Sequence, residues 1–242
     1  MVGVFVLLRR PELAPAPGRL LAALGITAAF ALLAWVARGV NLSGALAGSA
    51  IAFILATREI RIFCILLAVF ALTLAATRLG AQRKQQLRAA EAADGRSASQ
   101  VMANLGVAGL IVALAPSGWA MLALAALAEA AADTSSSEIG MAFPGKTVLI
   151  TTWKTVAPGM DGGISLRGTA AAMVAAAVVA LAGKVSGLVP AHHAATIIYA
   201  GFLGTLVDSL LGALLEQRGY LTNDLVNLLS TAATVGIAWA LM

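Results

Sequence analysis

The sequence predicts an all-α polytopic integral membrane protein, a single transmembrane domain over residues 1–242, and three observations carry that expectation. First, 60% of the 242 residues are hydrophobic and only 11% are charged, with a mean hydropathy of +0.93. A soluble domain carries about 25% charged residues, so this chain has too few charges to cover a water-facing surface; lipid removes that need. Second, apolar runs recur at 20–37, 42–57, 60–77, 101–116, 118–132, 170–189, 194–215 and 225–242. They read as about eight short transmembrane helices, or seven if one run only re-enters the bilayer. Third, the runs are rich in Ala, Gly, Ser and Thr, residues that let membrane helices approach closely.

Several runs fall at or below the roughly 17–25 residues that a span needs, which predicts tilt or borrowed flanking residues. Met1 to Leu8 is apolar but too short to span, and Arg9 and Arg10 follow it, whereas the charges of a secretory signal come first. Gly44 and Gly48 form a small-xxx-small pair whose expected use is packing within the chain, with homo-oligomer contact as the other use. Cys64 is the sole cysteine and is expected as a small packed residue, so no intrachain disulfide can form. Pro116, Ser117 and Gly118 read as a tight turn between the fourth and fifth runs.

The formal net charge is +5. No nucleic-acid-reading motif and no aromatic-basic interleaving accompany it, so membrane topology is the expected cause. Alternate connections place ten Lys and Arg on one side and six on the other, which predicts that the first side is cytoplasmic and that both termini lie outside. Every long polar connection, 78–100, 133–169 and 216–224, then falls on the cytoplasmic side. The expectation is an integral membrane protein, of the inner membrane if bacterial, doing chemistry at its cytoplasmic face.

Ionisable residues in or beside spans are functional by default. Glu129 and Asp133 lie four apart on one helical face, and Glu138 follows. Asp208 sits inside the seventh run between Gly204 and Gly212; Asn223, Asp224 and Asn227 open the last. Such oxygen-rich sets suit a hard cation such as Mg2+, which keeps waters and bridges to phosphates. For each residue alone the competing role is a helix cap or an interhelical hydrogen bond; Asp133, Glu138, Asp208 and Asp224 together favour a shared site. The complementary charge is Arg78, Arg83, Lys84, Arg88 and Arg96, either a solvated loop or a clamp for headgroup or nucleotide phosphates. Gln100 and Asn104 follow at helical spacing. Carboxylates facing cations match phosphoryl transfer, in which metal and Lys or Arg neutralise the spreading charge. Gly140, Gly145, Lys146 and Thr147 fit a phosphate-loop pattern. That loop works between a strand and a helix, whereas here the upstream segment reads as a membrane helix and Pro144 sits inside the loop, so the match is read as coincidental.

Five elements together carry a resemblance. They are Thr77-Arg78-x-Gly80 with Arg83-Lys84; Gly95-Arg96 with Gln100-Val101 and Ala103-Asn104; Asp133-Thr134 with Ser137-Glu138-x-Gly140; Pro158-Gly159 with Gly162-Gly163-x-Ser165 and Gly168-Thr169; and Gly204 with Asp208-Ser209-x-x-Gly212 and Thr222-Asn223-Asp224-x-x-Asn227. Their order and spacing, from about Asn41 onward, resemble the transmembrane-protein-19-like membrane family, a domain of unknown function whose members include the plant phytyl phosphate kinase. The sequence departs from that pattern at Ser135-Ser136, at Asp161 before Gly162-Gly163 and at Leu105 after Asn104, departures that bear on the acceptor more than on the reaction type.

The resemblance implies transfer of a phosphoryl group from a nucleoside triphosphate, CTP favoured over ATP, to a membrane-embedded isoprenyl monophosphate, giving the diphosphate. On that reading Asp133, Glu138, Asp208 and Lys154 are the candidate catalytic groups, and Asp133, Glu138, Asp208 and Asp224 would hold Mg2+. Arg78, Lys84, Arg96 and Lys154 would bind phosphates, with Gln100, Asn104, Ser165, Ser209, Asn223 and Asn227 orienting them. The backbone at Gly159, Gly162 and Gly163 would approach the nucleotide, and the isoprenyl tail would lie in a groove between helices. A monophosphate is already an oxyanion nucleophile, so positioning and charge neutralisation suffice; His192 and His193 are read as surface residues. The alternatives are a transporter or flippase of a lipid phosphate or small anion, and a CTP-dependent cytidylyltransferase or phosphotransferase that releases pyrophosphate.

Overall fold

The computed structural model describes residues 17–87, 95–115, 119–143 and 145–242. The readings at Met1–Arg10, Arg88, Pro116–Gly118 and Pro144 lie outside them. In chain order the described residues form α1 (Pro17–Val36), α2 (Leu42–Arg58), α3 (Ile60–Arg78), the short α4 (Ala81–Gln86), α5 (Ala98–Leu114) and α6 (Ala120–Ala142). Then come β1 (Thr147–Leu149), β2 (Thr155–Val156), β3 (Gly163–Ser165), α7 (Leu166–Val185), α8 (His192–Leu211) with a π-helical extension (Gly212–Glu216), and α9 (Asn223–Ala240). This is an all-α polytopic membrane architecture. α1, α3, α7 and α8 with its extension are long and apolar enough to cross a membrane, while α2 and α5 are apolar but shorter.

α6 is the axis of the bundle. It is built largely of alanine, and 16 of its 23 residues are buried, so α3, α5, α7, α8 and α9 all pack against it. Alanine permits this because its small side chain lets neighbouring backbones close in, and in lipid such van der Waals packing replaces the hydrophobic drive between helices. Glycines do the same at crossing points. Gly201 of α8 lies against Ala128, and a Cβ on Gly204 would overlap Thr234 Oγ1 and come within 2.6 Å of Glu129 Cγ. Gly204→Ala is therefore expected to destabilise the detergent-solubilised protein by about 1–3 kcal/mol, read as a lowered thermal unfolding midpoint, and Thr234→Ala in the same chain should restore part of the loss. Gly44 and Gly48 both face α5 within the chain: Gly44 meets the Arg96 carbonyl, and Gly48 faces Val101.

Helix starts sit further into the polar segments than hydropathy implies. Ser97 and Gln100 form a capping box that starts α5 at Ala98, Ser165 caps α7, and Thr222 caps α9. Such caps satisfy the orphan amides of a first turn. The largest difference is at α6, which runs through Asp133–Glu138 to Ala142, although the apolar run stops at 132. Within this stretch Glu138 accepts from Lys84 and Thr77, and Ser137 bonds back to the Asp133 carbonyl. The connection expected over 133–169 thus reduces to a three-stranded antiparallel sheet of order β2-β1-β3, pairing Thr147 with both Val156 and Ser165. Cys64 is corrected: it is exposed on α3, on the side turned away from the bundle.

The long connections meet at one end of the bundle. Val40 bridges Arg96, Arg78 donates to the Ala37 carbonyl, Arg83 to Met141 and Gln217 to Asp161. At the other end Arg58 donates to the Ala113 carbonyl, Arg61 to Ser186, and Trp119 meets Trp239 edge to face at 5.3 Å. Tryptophan at a bundle end suits the membrane interface.

Candidate functional site

A polar cavity of about 330 Å³ opens at the end where the connections meet. α5 supplies Gln100 and Asn104, with Arg96 just before its first turn. The C-terminal half of α6 supplies Asp133, Thr134, Ser137 and Glu138, and α9 supplies Asn223 and Asn227. The first turns of both α5 and α9 border the space. Helix N-termini carry a partial positive charge that favours phosphate, so the dipoles of two of them reinforce Arg96.

Arg96 is placed by backbone, not by a helix. Its N–H donates to the Gly39 carbonyl at 3.2 Å and its carbonyl accepts from Asn41 N at 3.0 Å. Gly95 takes φ +83° with no room for a Cβ against Arg38 and Val40. Asn41 caps α2 and binds Ser43, whose hydroxyl accepts from Ala98 N, so the starts of α2 and α5 lock together around Arg96. Gln100 Oε1 is engaged by Ser97 N and Asn104 Nδ2 by the Gln100 carbonyl. That leaves the Gln100 amide nitrogen and the Asn104 oxygen for the cavity. Asn227 donates to Asn223 across one turn of α9 at 3.4 Å.

Asp133 is the carboxylate of the cavity wall within electrostatic reach of Arg96. Behind it stand Asp208 of α8 and Glu129 of α6, both close enough to interact with Asp133. Ser230 donates to Glu129 Oε1 at 2.8 Å and faces Asp208 Oδ2 at 3.2 Å, while Thr231 donates to Glu129 Oε2 at 2.6 Å. Glu129, which shares a helical face with Asp133 in the sequence, is thus joined by Ser230 and Thr231, which the sequence reading does not single out. The sequence carries a signal for Ser230 and Thr231: with Asn223, Asn227 and Thr234 they fall at helical spacing along a largely apolar span, a polar stripe on one helical face.

Other candidates lie elsewhere. Lys84 is 2% exposed and points into the protein: its Nζ donates to Glu138 Oε2, Thr77 O and Ala76 O. An ammonium has three donors, and all three are used, so Lys84 positions Glu138 and is not presented to the cavity. Arg78 ties α3 to the α1–α2 connection. Lys154 is exposed at the tip of the β1–β2 hairpin, and Lys146 is exposed between α6 and β1. The order there is helix, loop, strand, the reverse of a phosphate loop. Ser165 Oγ accepts from Gly168 N as the cap of α7. Gly162, at φ +75°, presses against Ser209 O and Ala213, so the Gly159–Gly163 segment docks on the end of α8. Asp224 borders a separate apolar groove between α5 and α9. The four carboxylates therefore do not form one cluster: Asp133 and Glu138 line the cavity, Asp208 interacts with Asp133, and Asp224 lies apart, so among the described residues no three acidic, His or Cys side chains form a metal cluster.

The comparisons with known proteins agree with this architecture. No solved structure matches the chain. It is 33% identical over 223 residues to an uncharacterized membrane protein of Methanocaldococcus jannaschii, covering 88% of this chain and 90% of that one. It is 29% identical to Protein PGR of Arabidopsis thaliana (84% and 81%) and 30% identical to Protein VTE6, chloroplastic, of the same plant (76% and 60%). A family model described as integral membrane protein DUF92 matches residues 25–235, so the chain belongs to the DUF92 family of integral membrane proteins.

Proposed function

We propose that the protein is an isoprenyl monophosphate kinase, transferring the terminal phosphoryl group of a nucleoside triphosphate to a prenyl monophosphate at the cytoplasmic face. One observation carries the reading: a single cavity combines a backbone-anchored arginine, two helix N-termini, four amide side chains and the carboxylates Asp133 and Glu138. Cations and dipoles of this kind stabilise charge spreading over equatorial oxygens, which is most of what phosphoryl transfer asks of a protein. An oxygen of the acceptor monophosphate forms the new bond to the terminal phosphorus. The bond from that phosphorus to its bridging oxygen breaks, and the nucleoside diphosphate leaves with the electron pair. Arg96 holds the reacting phosphates, the positive ends of α5 and α9 favour their charge, and Asn104, Asn223 and Asn227 orient them. Lys84 keeps Glu138 in place at the edge of the cavity.

The donor set fits Mg2+ of the kind that uses one or two carboxylates, retains water and takes its remaining oxygens from substrate phosphates. Asp133, with Asp208 beside it, would hold the ion, which supplies charge neutralisation when bound. CTP is the favoured donor through the resemblance to the family of the plant phytyl phosphate kinase.

The buried Glu129 with Ser230 and Thr231 favours transport as a second reading, because polar groups at mid-helix suit an ion path. Beyond Glu129, however, α6 is closed by Met121 to Ala128, at most 2% exposed, which supports a site reached from one end.

Purified protein in detergent with Mg2+, geranylgeranyl or phytyl monophosphate, and CTP, ATP, GTP or UTP in turn is expected to yield the prenyl diphosphate by mass spectrometry. Product should require both metal and nucleotide, with nucleoside diphosphate released in equal amount. Pyrophosphate release would establish a cytidylyltransferase instead. Absence of any product from folded protein, with anion flux in liposomes, would establish transport.

A further inference from the structure

A second cavity adjoins the first. It is a narrow apolar crevice of about 70 Å³ lined by α1, α2, α3 and α5, with Ala130 of α6. Arg96, Gln100 and Asn104 line both it and the polar cavity. A phosphate held at those three residues therefore has a polar chamber on one side and a hydrocarbon-like one on the other. We propose that this crevice receives the part of the prenyl chain next to the phosphate, so that the site selects an amphiphilic phosphate over a water-soluble one. The proposal rests on the kinase reading for the identity of the amphiphile, but its geometry does not.

The shape supports a chain. Along α3 the lining runs from Thr73 to Leu66, a depth of about 10 Å at the helical rise per residue. Gly44 and Gly48 keep the α2 wall low, and Phe30 and Phe70, edge to face at 5.3 Å, face it from α1 and α3. The remainder of a long chain lies in lipid. The competing place is the groove between α5 and α9, about 380 Å³, lined by Met102, Gly106, Leu110 and Leu228. That groove shares no lining residue with the polar cavity, and it carries Asp224, whose charge repels a phosphate. The crevice has Arg96 at the corresponding position.

The test is photolabelling in lipid nanodiscs with a geranylgeranyl monophosphate bearing a diazirine on the isoprene unit nearest the phosphate, followed by peptide mass spectrometry. Label is expected on the segments holding Phe30, Gly48, Phe70 and Leu105, displaced by unlabelled prenyl monophosphate and not by inorganic phosphate. Gly48→Leu places its side chain in the crevice without backbone overlap, since the nearest atom to a new Cβ is Val101 Cγ1 at 3.8 Å. It should cut that label by about tenfold or more. Label on Met102, Leu110 and Leu228, label displaced by inorganic phosphate, or no displaceable label would each overturn the proposal. Labelling needs no nucleotide, so the two readings fail separately. Crevice label without diphosphate formation removes the kinase and keeps the amphiphile site; diphosphate formation with label in the α5–α9 groove does the reverse.

Discussion

Asp133→Asn is expected to lower prenyl diphosphate formation by about a hundredfold or more while leaving the folded yield unchanged. The two halves of that expectation have separate causes. Asparagine keeps the shape of aspartate and its hydrogen-bonding capacity but removes the charge that would hold Mg2+ or face the phosphates. Stability should be spared because Asp133 is attracted by Arg96 but repelled by neighbouring carboxylates, Asp208 and Glu129 among them. The substitution removes one attraction and relieves three like-charge interactions, with Asp208, Glu129 and Glu216. Steady-state product formation and size-exclusion yield, measured on the same preparation, check both halves. Undiminished turnover would remove Asp133 from the site.

Lys84→Met is expected to act in the opposite way, as a loss of stability of about 3–5 kcal/mol. Lys84 and Glu138 are 2% and 5% exposed, and truncating one partner leaves a buried carboxylate whose charge is uncompensated. Adding Glu138→Gln should recover most of the loss, because removing both charges removes the desolvation cost along with the attraction. The coupling between the two substitutions, read from thermal unfolding in detergent, should exceed about 1 kcal/mol. A phosphate-binding Lys84 would behave differently: the single variant would melt like the unsubstituted protein and only the acceptor or nucleotide KM would rise. The experiment therefore decides between the positioning role that the hydrogen bonds support and the phosphate-binding role that the motif suggests.

Composition and hydropathy determined that the chain lives in a membrane as a bundle of short helices, since a chain with 11% charged residues has no other way to satisfy its surface. Helical spacing also made Gln100 with Asn104, and Asn223 with Asn227, legible as polar faces, because a 3.6-residue period places them one turn apart. What spacing cannot express is which faces turn toward each other. Lys84 and Glu138 are 54 residues apart, and Glu129 and Thr231 are 102 apart; only the packing around α6 made the first an internal ion pair and the second a buried hydrogen bond. The same packing carried α6 past Asp133, where the hydropathy reading stops, and brought Glu138 to Lys84 and Thr77 of other helices. It also parted Asp224 from Asp133 and Asp208, since adjacent residues on α9 lie about 100° apart around the helix and Asn223, not Asp224, took the face that lines the cavity.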